Sequence, residues 1–134
     1  MHAVQRTTSL SRGRAGYIAL WMVQVLLAVA FLGSGLAKLA GAPVQVAVFD
    51  AIGVGQWFRY LTGLIEAAGA VALLMPSLAP FGAVALVATM VGAIATHLFV
   101  IGGSPRGPIV LLLLSLTVAW VRRDQLVAVV SRWG

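Results

Sequence analysis

From Gly16 to Ala37 the chain reads GYIALWMVQVLLAVAFLGSGLA, with no charged residue. About 20 apolar residues is the length an α-helix needs to cross the hydrocarbon of a bilayer. In that solvent each backbone N–H and C=O has to be satisfied internally, which a helix does unaided. Three further apolar runs follow, each bounded by glycine, proline or charge. The expected fold is therefore all-α: an integral membrane four-helix bundle with spans at about 16–39, 57–75, 81–101 and 108–121. A basic arm, 1–15, precedes the spans and a basic tail, 122–134, follows them. Composition agrees, because 61% of the 134 residues are hydrophobic and 9% are charged. A soluble domain has about a quarter charged residues. The lipid bilayer is the first partner this pattern calls for.

Within the first run, Ala28-Val29-Ala30 has the small-residue pattern of a signal-peptide cleavage site. The run continues beyond it to Ala37 and more runs follow, so a span is the better reading. Gln24 is a lone amide there, suited to a hydrogen bond between helices. The arm, with Arg6, Arg12 and Arg14, reads as short and unstructured. The connection GAPVQVAVFDAIGVGQ, from Gly41 to Gln56, is too short to span. Pro43 suits a first helical position and Gly53 a helix stop. A short interfacial helix between spans 1 and 2 is expected there, lying as a lid over the bundle. The tail interleaves Arg122, Arg123 and Arg132 with Leu126, Val127, Val129 and Val130. That pattern predicts a helix along the membrane surface.

The net charge of +6 does not indicate nucleic acid as a partner, because the basic residues form no single patch. They flank the spans, as topology signals do. With four spans both termini share a side, which carries Arg6, Arg12, Arg14, Arg122, Arg123 and Arg132. The other side carries Lys38, Arg59 and Arg106. This asymmetry predicts cytoplasmic termini in the cell membrane. The absence of cysteine excludes disulfides, thiol redox chemistry and cysteine metal sites.

The stretch LTGLIEAAGAVALLM, Leu61–Met75, carries Glu66 near its middle. A carboxylate in hydrocarbon costs several kcal/mol, so it is expected to be paired, protonated or turned to a polar cavity. Gly63 and Gly69 stand three residues either side, on nearly the same helical face, where another helix can approach closely. Lys38 ends span 1, Asp50 and Arg59 lie in the outer layer, and His97 is one turn from the outer end of span 3. Together with Glu66 these residues define a candidate outward-opening pocket. Glu66 fits a structural ion pair, to Lys38 or a bond to Gln24, as well as it fits a ligand contact or proton relay. One histidine and scattered carboxylates do not make a metal site.

FLGSGLAKLAG, then VFDAIGVGQWFRYLTGLIEAAGAVALLMP, then a third span ending in ATHLF, resembles the DoxX-like family of small four-span membrane proteins. The matching pattern is Gly35, Lys38 and Leu39 closing span 1, Phe49 and Gly53 in the connection, and Gly63 with Glu66 on span 2. The resemblance implies a membrane four-helix bundle. It implies a subunit or accessory of a membrane redox system, quinone-linked or tied to oxidative stress, and at most a subunit of an oxidoreductase. Quinone is the cofactor class it implies; in this pocket Lys38 or His97 would hydrogen-bond a quinone carbonyl and Glu66 would move protons. The alternative is a non-catalytic scaffold or assembly partner, in which Lys38 and Glu66 lock the bundle and small-residue faces bind another protein or a second copy. A small transporter acting as an oligomer is a more distant reading.

Overall fold

The computed structural model describes the backbone of residues 2–133 and the side chains of residues 13–132. Regular structure among these residues is entirely helical. The helices are α1 (His2–Ala40), α2 (Pro43–Ile52), α3 (Trp57–Leu73), α4 (Ala79–Thr96), α5 (Arg106–Val121) and α6 (Arg123–Trp133). A π-helical turn, His97–Ile101, prolongs α4. Among the described residues two stretches are long and apolar enough to cross a membrane, Gly13–Ala40 and Ala79–Ile101. The helices α3 and α5 are shorter, at 17 and 16 residues. At about 1.5 Å per residue each is roughly 25 Å long.

Local chemistry explains the ends. The helix α1 stops in a Schellman arrangement: Gly41 has φ 75°, its N–H donates to the Lys38 carbonyl, and the Ala42 N–H donates to the Ala37 carbonyl. Pro43 then opens α2, and Gly53, with φ 81°, closes it. The helix α3 ends at Leu73 rather than at Met75, because a residue before a proline, here Pro76, avoids the helical region. Pro80 sits in the first turn of α4. The arm expected to be unstructured is drawn into α1, which begins at His2. No glycine or proline occurs between His2 and Arg12 to stop the helix from extending. The side chains of Arg6 and Arg12 lie outside the described residues.

Four helices pack in a ring: α1 on α3, α3 on α4, α4 on α5, and α5 back on α1. At one end α2 lies against α1, α3 and the π turn, and at the other α6 lies against α4 and α5. The centre is filled by Leu27 and Phe31 of α1, Ala70 and Leu73 of α3, Ala83, Leu86 and Met90 of α4, and Val118 of α5.

Two glycine crossings set the spacing. A Cβ on Gly35 would stand 2.7 Å from the Gly63 carbonyl oxygen, and one on Gly63 would stand 2.9 Å from that of Gly35. Contrary to expectation, Gly69 does not share the face of Gly63 but turns to α4, because six residues bring a helix round to about 120° from the starting direction. A Cβ on Gly69 would meet Leu86 at 3.0 Å, and one on Gly82 would stand 2.8 Å from the Gly69 oxygen. These backbones touch directly, so no larger residue fits without moving a helix.

The exterior is unlike that of a water-soluble domain. Met22, Leu26 and Val29 of α1, Val84 and Val91 of α4 and Val110 and Leu113 of α5 are exposed. Gln24, Lys38, Arg59, Glu66 and Ser115 are buried. Apolar patches beyond a few hundred Å² are rare on soluble monomers.

Gly33 has nothing within 4 Å of its would-be Cβ, although it lies two residues from Gly35. Gly63→Leu is expected to destabilise the protein by about 1–3 kcal/mol through overpacking. Gly33→Leu is expected to leave stability unchanged. Thermal unfolding of both in detergent checks this, and equal melting of the two would contradict the α1–α3 crossing.

Candidate functional site

The crossing at Gly35 and Gly63 brings the last two turns of α1 against the middle of α3. Ser34 and Lys38, four residues apart, lie on one face of α1. Glu66, one turn beyond Gly63, meets them from α3. Lys38 Nζ stands 3.1 Å from Glu66 Oε1 and 3.3 Å from Oε2, and donates to Ser34 Oγ at 2.8 Å. Glu66 is 1% exposed and Lys38 9%. Removing each ion from water costs several kcal/mol, and good geometry offsets that cost without much surplus. An apolar pair of similar volume would hold the crossing about as well. The consequence is asymmetric, because loss of one partner strands a buried charge, at about 3–5 kcal/mol.

The pair forms part of the wall of a cavity of about 850 Å³ between α1, α3, α4 and the start of α5. Its volume lies in the range of small-molecule sites, about 300–1,000 Å³. The apolar lining includes Phe49, Phe58, Ile65, Met90 and Leu111, and the polar lining includes Thr62, Thr89, Thr96 and His97. Val44, Gln45, Val48, Phe49 and Ile52 of α2 also line it. Their spacing of one, three and four residues puts them on one helical face, so α2 roofs the cavity. Phe49 and Phe58 meet edge to face at 5.7 Å between centroids.

His97 opens the π turn, with Nδ1 3.0 Å from the Ala93 carbonyl. Such turns free a backbone from the regular ladder and recur at functional sites. Lys38, Glu66 and His97 thus share one cavity, while Asp50 and Arg59 lie outside its lining. Arg59 is buried against the end of α1, where Nη1 donates to the Lys38 carbonyl and Nε donates to Gln56 Oε1 at 2.6 Å. A guanidinium is favoured beside the negative end of a helix dipole. Its plane also lies over the Tyr60 ring at 4.3 Å. Asp50 is exposed and accepts from Gln56 Nε2 at 2.7 Å. Gln56 Nε2 also reaches the Val46 carbonyl at 3.1 Å. One amide therefore ties α2 to Arg59, and Arg59 ties that unit to the backbone of Lys38.

Sequence reasoning did not single out Ser34, Gln56 or the three threonines. Ser34 was detectable by its spacing of four residues from Lys38; the others carried no distinctive signal. At the opposite end, Gln24 is fully buried and unrelated to Glu66. Its Nε2 donates to the Leu73 carbonyl at 2.6 Å, and its Oε1 accepts from Arg122 Nε at 2.8 Å. Among the described residues no group of three His, Asp or Glu side chains is placed to hold a metal ion.

Residues 22–121 match the DoxX-like family. Over 82 residues the chain is 38% identical to a protein of Bacillus subtilis (strain 168) described as "Uncharacterized protein YdgD". That alignment covers 58% of this chain and 72% of the Bacillus protein. No solved structure matches the chain significantly.

A double-mutant cycle tests the pair. Lys38→Met alone is expected to cost about 3–5 kcal/mol, since it leaves Glu66 buried without its partner. Adding Glu66→Gln is expected to recover most of that loss, with a coupling energy on the order of 0.5–3 kcal/mol. Unfolding in detergent measures both, and strict additivity would show that the two side chains do not interact.

Proposed function

The chain belongs to the DoxX-like family, and from that premise we propose that it is a four-span membrane protein whose cavity holds a small amphipathic molecule. In this reading α1, α3, α4 with its π turn, and α5 cross the bilayer. The helix α2 covers the outer end and α6 lies along the inner surface. Support comes from the apolar exterior, the two long apolar helices and the buried polar groups. The distribution of basic residues supports cytoplasmic termini.

The observation that carries the ligand reading is the Lys38–Glu66 pair in the wall of an apolar cavity of about 850 Å³. A quinone-class molecule suits such a site, with its ring and tail among apolar side chains and its oxygens near the polar strip. His97 and Glu66 are the groups able to exchange protons there. The protein then serves as a subunit or accessory of a membrane redox system.

A second reading has its own observation. The Lys38 ammonium has three hydrogens, and Ser34 Oγ and the two Glu66 oxygens are all within reach of them. A pair so completely satisfied serves equally well to lock α1 to α3 in a non-catalytic scaffold for a partner protein.

One variant separates these readings. Gly92 lines the cavity, and its would-be Cβ meets nothing within 4 Å. Gly92→Leu is therefore expected to occupy the cavity while leaving the fold and any partner surface intact. Purified from native membrane, the parent protein is expected to retain an amphipathic molecule, detected by mass spectrometry, that Gly92→Leu loses. Identical small-molecule content with partner proteins retained would favour the scaffold. Reporter fusions after Arg123 and within Gly41–Gln56 are expected to report opposite sides of the membrane; the same side for both would overturn the four-span topology.

A further inference from the structure

Most polar groups on the cavity wall have already committed their hydrogens; the Ser34 hydroxyl, which accepts from Lys38, and the Gln45 amide keep theirs. Thr62 donates to the Phe58 carbonyl at 2.8 Å, Thr89 to the Ala85 carbonyl at 2.9 Å and Thr96 to the Gly92 carbonyl at 2.9 Å. A hydroxyl has one hydrogen and two lone pairs, so each threonine keeps only acceptor capacity for a ligand. His97 Nδ1 faces the Ala93 carbonyl, which can only accept. Nδ1 therefore carries the hydrogen, and Nε2 of the neutral ring is an acceptor. The hydrogens of Lys38 are directed at Ser34 and Glu66. The Glu66 carboxylate offers about four lone-pair sites and no hydrogen. Gln45, on the lid, both donates and accepts, so it suits either kind of ligand.

The wall is thus rich in acceptors and poor in donors, and the opposite charges of Lys38 and Glu66 cancel. We propose that the cavity selects a neutral aromatic hydroxyl compound, a phenol or hydroquinone on an apolar body, over the corresponding quinone or ether. A carbonyl or ether oxygen set against these acceptors would leave both sides without a hydrogen, away from water. The ring is called for by Phe49 and Phe58, whose edge-to-face pair lies on the cavity wall. This inference rests on the reading of the cavity as a ligand site. Within a quinone-linked system, it makes the reduced form the one this protein holds.

The test is calorimetric titration of the full chain in detergent with three matched probes: octylphenol, its methyl ether, and octylbenzoquinone. Octylphenol is expected to bind at least about tenfold more tightly than either of the others, the value of one additional hydrogen bond. Thr89→Val, which keeps the shape and removes an acceptor, is expected to reduce that preference while binding the ether like the parent protein. Gly92→Leu is expected to lose all three probes. Equal or tighter binding of the quinone or ether, abolished by Gly92→Leu, would overturn the selectivity and leave the ligand site standing. No saturable binding of any probe to the parent protein would overturn the ligand site, and the selectivity with it.

Discussion

The Lys38–Glu66 pair depends on a contact between two backbones. An ammonium and a carboxylate are 3.1 Å apart in a buried place because Gly35 and Gly63 let α1 and α3 touch without side chains between them. With larger residues at that crossing the helices would separate, and two unpaired charges would be left inside the bundle. Burying an unpaired charge costs far more than packing a methyl group gains. The glycines and the ion pair therefore act as one unit: close approach makes the pair affordable, and the pair fixes the register of the approach.

The same α1 terminus organises the roof of the cavity. Lys38 contributes its side chain to the ion pair and its carbonyl to the Gly41 N–H and Arg59. Arg59 binds Gln56, and Gln56 binds Asp50 and the Val46 carbonyl of α2. The lid and the charged wall are thus joined by one chain of hydrogen bonds around a single helix end. Exposed Asp50 closes that chain at the surface, which gives this polar residue of α2 a structural part.

At the other end of the ring a second polar staple holds the helices. Gln24 joins α1 to the last carbonyl of α3, and Arg122 joins Gln24 to the start of α6. The Arg122 guanidinium stands 5.6 Å over the Trp21 ring and also reaches Gln125, whose amide donates to the Pro76 carbonyl. In hydrocarbon the hydrophobic effect between helices vanishes, and assembly rests on close packing and hydrogen bonds. Two glycine crossings with a polar staple at each end fit the bilayer setting proposed for this chain.

The helices were legible in the amino-acid order because their signals are local. Length and apolar composition mark the runs, Pro43 and Gly53 bound α2, and Pro76 and Pro80 bound the turn between α3 and α4. The arm was misread because basic, polar residues suggest disorder, yet nothing between His2 and Arg12 breaks a helix. For the candidate site, the order of residues established that Glu66 requires a partner or a cavity and that glycines stand three residues either side of it, but not that Gly63 faces α1 and Gly69 faces α4. It left Lys38, Gln24 and His97 as candidates for that partner, with Lys38 foremost. Only the tertiary structure decided between them, because Gln24, Lys38, Glu66 and Arg122 interact across 28 to 98 residues of chain. It also turned Arg59 to a helix end and Asp50 to the surface, and it showed where the threonine hydrogens go. Burial, pairing and hydrogen-bond direction are properties of neighbours in space, and periodicity along a chain specifies a face without specifying what that face meets.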